Sequence, residues 1–216
     1  PPRGCCEISQ PGRGAGRNMI AVIDYGAGNL RSVANTLEEI GAEYRLVRDA
    51  AGLEDASKVI LPGVGHFGQM LRALGQMEIR EPLAGSIARG VPFLGICLGL
   101  QALFTDSEEA PDLKGLGIFE GTVRRFPLTA RVPHMGWNEL EPRGPSRLLA
   151  NLPEHPYVYF AHSYYAPVME ATAAACTYAV PYTAALECNN VFGVQFHPEK
   201  SGPTGLRIMR NFVELR

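Results

Sequence analysis

The 216-residue sequence holds a single tryptophan, no excess of charge of either sign, and no apolar run near the ~20 residues of a membrane-spanning helix. Lys and Arg number 20 against 22 Asp and Glu, for a formal net charge of −2. That balance lacks the electrostatic footprint of a nucleic-acid binder. The cysteines, Cys5, Cys6, Cys97, Cys176 and Cys188, form neither CxxC pairs nor the framework of a disulfide-stapled domain. A reducing setting follows, and the cytoplasm is the expected location. His66, His134, His155, His162 and His197 make no i,i+4 pair and no Cys/His cluster, so no metal and no cofactor is expected. Gly26-Ala-Gly28 hints at a dinucleotide fingerprint, but the third glycine would fall at Arg31, which argues against nucleotide binding. The opening stretch, PPRGCCEISQPGRGAGRN, has no apolar h-region and is not a secretory signal. Residues 1–18 read as a disordered extension or a misplaced start ahead of a domain over 19–216.

What is present is enough for a folded core: 46% of residues are hydrophobic and 19% charged. Gly (24) and Pro (17) are abundant without a period, which implies many tight turns. Ile20–Ile23, Tyr44–Val47, Lys58–Leu61 and Val91–Ile96 read as buried strands. Between them, helical spacing runs over Leu30–Ile40, Phe67–Leu74 and Ile79–Ala88, with Asn29 as a cap and Gly41 as a stop. A further helix is expected from Leu98 to Phe104. Beyond Gly115 the pattern turns to short strands: Gly121–Phe126, Gly136–Leu140, Tyr157–Ala161, Ala173–Val180, Ala184–Glu187 and Phe192–Phe196. A closing helix is expected with Thr204 as its cap and Leu206, Met209 and Val213 inward. Alternating strands and helices predict an α/β domain: a mostly parallel central sheet flanked by helices, with an additional antiparallel region.

Chemistry concentrates in two segments. Gly95-Ile-Cys-Leu-Gly99 joins a buried strand to a helix, and a G-x-nucleophile-x-G turn exposes its middle side chain, here the Cys97 thiol. A helix N-terminus at that point would favour the thiolate. Gly193-Val-Gln-Phe-His-Pro-Glu199 sets His197 before a proline, which favours extended backbone, and puts Glu199 two residues on, where a strand would share one face. Cys97, His197 and Glu199 thus fit a nucleophile, a base and the acid that orients it. The Leu98 N–H and the Gly63-Val-Gly65 turn are candidate oxyanion donors. A core cysteine and a surface His–Glu pair remain the plain readings of each segment alone; their coincidence favours catalysis.

These motifs resemble the class I, triad-type glutamine amidotransferases, whose flavodoxin-like fold matches the predicted architecture. Within that family, DYGAGN at 24–29, LPGVGHFG at 61–68, PHMGWN at 133–138, HSYY at 162–165 and FHPEKSG at 196–202 resemble the branch serving histidine biosynthesis. The resemblance implies that Cys97 attacks the glutamine side-chain amide, with His197 and Glu199 completing the triad. It implies that Gly63, Val64 and Leu98 form the oxyanion hole, and that Gln101, Glu109, Ser163 and Tyr164 hold the glutamine. It further implies a (β/α)8-barrel cyclase subunit as partner, facing Asn29, Trp137 and Asn138 and receiving the ammonia. Another triad glutaminase, a cysteine peptidase and a catalytically dead regulatory module are the competing readings.

Overall fold

The structure, a computed structural model, describes residues 19–215; the expected extension over residues 1–18 lies outside them. In chain order the elements are β1 (Ile20–Ile23), α1 (Leu30–Ile40), β2 (Tyr44–Val47), β3 (Lys58–Gly63), α2 (Phe67–Gln76), α3 (Arg80–Ala88), β4 (Phe93–Cys97) and α4 (Leu98–Gln101). The second half supplies β5 (Phe104–Ser107), β6 (Phe119–Arg125), β7 (His134–Glu139), β8 (Glu141–Pro142), β9 (Tyr157–His162) and β10 (Tyr164–Tyr165). It closes with β11 (Thr172–Tyr178), β12 (Val180–Cys188), β13 (Val191–Val194) and α5 (Gly202–Glu214).

An eight-stranded sheet in the order β2-β1-β3-β4-β13-β12-β11-β8 forms the frame. Its first five strands pair in parallel and the remaining three antiparallel, matching the expected mixture. β1 reads Ile-Ala-Val-Ile with every residue buried, as a strand covered on both faces must. Alternate residues serve opposite layers. Ile20, Val22, Ile60, Leu94 and Ile96 pack with Val33 and Leu37 of α1 and with Ile208, Met209 and Phe212 of α5. Ala21, Ile23, Val59, Leu61 and Phe93 pack with α2 and α3. Each large side chain so buried contributes roughly 1.5–3 kcal/mol, so the two layers hold the strands in a fixed register.

That register positions the functional site. Gly63 lies opposite Cys97 across the β3–β4 pair, and Val194 lies opposite Ile96 across β13–β4. The residues that follow β3, β4 and β13 therefore emerge together at the carboxyl edge, where ligands bind in open parallel sheets.

Several expectations need correction. The helix after the Gly95–Gly99 elbow, the sharp turn that carries Cys97, is one turn, because Phe104 leaves it to join β5, which pairs with β6. β3 runs on through Pro62 to Gly63, held by pairing with β4. The last helix starts at Gly202 with Ser201 in the cap position, so Thr204 lies inside its first turn. Its buried face is Gly205, Ile208, Met209 and Phe212; Leu206 and Val213 are half-buried flanks. The phase is set by Gly205, where a Cβ would collide with the Pro198 carbonyl. Asn29 occupies the cap position of α1 but makes no capping bond; its Oδ1 accepts from Ser32 Oγ at 2.8 Å instead. The predicted stop is correct: Gly41 adopts φ 79°, and its N–H bonds back to the Glu38 carbonyl.

Candidate active site

Cys97 ends β4 with φ 54° and ψ −105°, a conformation that costs a non-glycine residue roughly 1–3 kcal/mol. The flanking glycines make the turn possible, since a Cβ at Gly99 would collide with the Leu61 carbonyl and one at Gly95 with the backbone of Gly99. The thiol is 5% exposed and stands in the wall of a cavity of about 160 Å³. One helical turn has little dipole, so the expected thiolate stabilisation by a helix N-terminus does not carry here. Two groups stand against the sulfur: Gln195 Nε2 donates to Cys97 Sγ at 3.6 Å, and the Ala161 carbonyl accepts from the thiol at 4.0 Å.

His197 is buried and extended (φ −100°, ψ 95°), with its N–H on the Tyr159 carbonyl at 2.9 Å. Its Nδ1 meets Glu199 Oε1 at 2.9 Å. The sharing of a strand face by these two residues does not hold, because Glu199 lies in a 3₁₀ turn over Pro198–Lys200. That turn is tied down by Ser201 Oγ, which donates to the His197 carbonyl at 2.6 Å. Burial alone would lower the imidazole pKa; its hydrogen bonds to Cys97 and Glu199 outweigh burial and raise it to about 10. The imidazole therefore holds its proton at neutral pH, in contact with both the sulfur and the acid. Asn29 Nδ2 adds a 3.4 Å bond to Glu199 Oε1, while the buried Glu199 Oε2 has no partner.

Val64, Leu98, Gln101, Glu109, Ser163 and Tyr164 all line the same cavity as Cys97. Leu98 N–H, at the first helical position, has no intrahelical acceptor and is available there. Val64 N–H is engaged elsewhere: it donates to Tyr25 Oη at 3.2 Å, and the hydroxyl returns its proton to the Val64 carbonyl at 3.3 Å. Burial, the first cause, holds the Tyr25 phenol up at about 12, so it stays protonated. Gln101 Nε2 donates to Tyr164 O at 2.8 Å and Gln195 Oε1 at 3.0 Å, leaving its Oε1 as an acceptor at the cavity. Glu109 Oε2 accepts from Phe67 N–H at 2.7 Å, at the start of α2. An acceptor and a carboxylate at one end, with a thiol at the other, suit a small zwitterionic amide. The cavity is also small beside the roughly 300–1,000 Å³ of drug-sized pockets.

Three contributors escaped the sequence reading. Gln195 precedes His197 by two residues, and strand alternation could have placed it on the same side. Tyr25 carries no local signal, since its partner Val64 is 39 residues away. His162 also lines the cavity, with Nδ1 donating to the Tyr164 carbonyl at 2.8 Å and Nε2 facing His134 Nδ1 at 3.3 Å. Burial lowers the pKa of His162 to about 3 and of His134 to about 4, so both are neutral.

The residues expected to face a partner are divided. Trp137 is 56% exposed and joins Met135 and Tyr157 on the open face of the β7–β9 ribbon, so it is not a core tryptophan. Its ring packs edge-on to Tyr159 at 6.2 Å. Asn138 turns inward, donating to the Thr177 carbonyl at 3.2 Å. Asn29 reaches the triad, as described. Among the described residues no group of three or more His, Cys, Asp and Glu could hold a metal, and no helix is long and apolar enough to cross a membrane.

Comparison with known proteins accords with this geometry. The chain is 50% identical over 199 residues to the "Imidazole glycerol phosphate synthase subunit HisH" of Methanothermobacter thermautotrophicus, covering 91% of this chain and 98% of that one. It is 49% identical over 198 residues to the subunit of the same name from Xanthomonas euvesicatoria, covering 91% and 97%. In fold it resembles a solved structure described as "Crystal structure of glutamine amidotransferase", at TM-score 0.72 and 22% identity, over 90% of this chain and 97% of that one. The profile of the family "Glutamine amidotransferase class-I" matches residues 21–215, and the chain belongs to that family.

Proposed function

We propose that this chain is the glutaminase subunit of an imidazole glycerol phosphate synthase, releasing ammonia from glutamine for a partner subunit in histidine biosynthesis. The observation that carries the proposal is the contact of His197 with both Cys97 and Glu199, where Cys97 lines a cavity together with Gln101 and Glu109. Relatives bearing that subunit's name, about half identical along nearly their whole length, support the choice within the family.

In this reading the Cys97 sulfur attacks the side-chain amide carbon of glutamine, its proton having passed to His197. Charge develops on the amide oxygen and is met by the Leu98 N–H and by the Gly63–Val64 peptide. The His197 imidazolium protonates the departing amine, the C–N bond breaks, and ammonia leaves a glutamyl thioester on Cys97. Water then attacks the thioester with His197 as base, and glutamate is released with the thiol restored. Glu199 keeps the imidazole in register and stabilises its charged form. Gln101 and Glu109 receive the ammonium end of the substrate, and Ser163 and Tyr164 complete the wall around it.

Ammonia freed into water at neutral pH is protonated and loses its nucleophilicity, so an enclosed route to the acceptor preserves it. A (β/α)8-barrel cyclase is the expected receiver, forming imidazole glycerol phosphate and an aminoimidazole carboxamide ribonucleotide. The exposed Met135, Trp137 and Tyr157 face, beside the His197–Glu199 turn, is the surface offered to it. Ligand binding in the cyclase reorients Gly63–Val64 and completes the oxyanion hole. Val64 N–H, held by Tyr25, is the group that must be released. The test is glutamate release with and without the ligand-loaded cyclase. Strong activation supports the assignment; equal rates, or turnover by Cys97→Ser, overturn it.

A further inference from the structure

We propose that Gln195 is the residue that aims and holds the Cys97 sulfur, and that it links the sulfur to the substrate-binding end of the cavity. This rests on Cys97 being the nucleophile. Gln195 has no solvent exposure, and its backbone N–H is bonded to the Ala184 carbonyl at 2.9 Å. A buried carboxamide is costly unless both its ends are paired, so its partners matter. Oε1 accepts from Gln101 Nε2 at 3.0 Å, and this fixes the orientation of the amide. The NH₂ end is thereby turned to Cys97 Sγ at 3.6 Å. A hydrogen bond donated to a sulfur strengthens when that sulfur becomes an anion, so this contact favours the attacking form. A methionine would fill the same space without a donor, so packing alone does not call for glutamine.

The second half of the inference follows from Gln101. Both of its Nε2 hydrogens are committed, one to Tyr164 O at 2.8 Å and one to Gln195 Oε1 at 3.0 Å. The Tyr164 carbonyl, Gln101, Gln195 and the sulfur thus form one hydrogen-bonded line through the wall of the cavity. Glutamine seated against Gln101 and the sulfur awaiting its amide are registered to each other by these two side chains. One group serves as ruler between the two ends of the substrate.

The test uses the full chain with Gln195→Met, which keeps the volume, and Gln195→Glu, which keeps Oε1 but replaces the donor end by oxygen. Cys97 alkylation by iodoacetamide is followed against pH by peptide mapping, which separates it from Cys176 and Cys188. The alkylation midpoint is expected to rise by about one pH unit in Gln195→Met, about a tenfold loss of thiolate at pH values well below it, and further in Gln195→Glu. With the ligand-loaded cyclase, kcat should fall about tenfold in Gln195→Met while KM changes by less than about threefold. Circular dichroism identifies the variant that is folded, and either one suffices. An unchanged midpoint in a folded variant overturns the role of Gln195 and leaves Cys97 as nucleophile. Glutamine turnover by Cys97→Ser would instead overturn the reading beneath it.

Discussion

Replacing Tyr25 by Phe removes one hydroxyl and, with it, both bonds to the Val64 backbone, one from the N–H of the Gly63–Val64 peptide and one to the carbonyl of the Val64–Gly65 peptide. The bonds are 3.2 and 3.3 Å long, and Val64 is 36% exposed, so each belongs at the weak end of the usual range. At about 0.5 kcal/mol each they hold the resting Val64 backbone, both flanking peptides together, by about 1 kcal/mol. If the active state needs the whole Val64 backbone to leave Tyr25 as the Gly63–Val64 N–H turns towards the oxyanion, Tyr25→Phe lifts the partner-free rate about fivefold. Glutamate release at saturating glutamine, without cyclase and with the ligand-loaded cyclase, is the assay. The loaded rate should stay within about twofold, because the bonds are already broken there. A loaded rate that falls in step with the basal rate would make Tyr25 part of the working site. A basal rate that does not move would show that these bonds hold nothing back.

The strain at Cys97 gives a stability prediction: among thiol-free variants, Cys97→Gly should be more stable than Cys97→Ala by about 1 kcal/mol, because glycine accepts φ 54°. Thermal melts should separate the two by about 2–4 °C, and equal melting temperatures would show that the elbow is not strained. Glu199→Gln should cut kcat by a factor on the order of 10²–10⁴ with little change in KM, measured in the activated complex. His162 and His134 bind no proton in the fold above about pH 3 and 4 respectively, whereas their ordinary value is 6.5. The unfolded chain therefore takes up more protons below pH 6.5, and stability falls as pH drops through that range, by on the order of a few kcal/mol for the pair. Urea midpoints between pH 7 and 4.5 should show this fall, smaller in His162→Gln; an identical fall in that variant would refute it.

The main sheet was legible because its inner strands are short apolar runs, and Ile20–Ile23 appears where the run predicts it. The contact of Cys97, His197 and Glu199 was legible because each sits in a motif read locally. The helix after the elbow was misjudged because apolar periodicity continues through Phe104, and only the pairing of β5 with β6 decides that Phe104 is extended. His197 and Glu199 meet, but through a 3₁₀ turn that strand alternation does not foresee. Tyr25 acts through a contact to Val64 that no pattern in the chain announces, whereas Gln195, which reaches Cys97 across 98 residues, was signalled only by its alternation with His197. Trp137 shows the reverse case: its type signals either core or interface, and its 56% exposure excludes the core.

The central claim is that glutamine acylates one sulfur. Rapid quenching of the activated complex during turnover, followed by peptide mass mapping, measures this directly. The account predicts a glutamyl group on the peptide bearing Cys97, absent without glutamine and absent in Cys97→Ser. Turnover with no adduct at Cys97, or with the adduct on another residue, would contradict it.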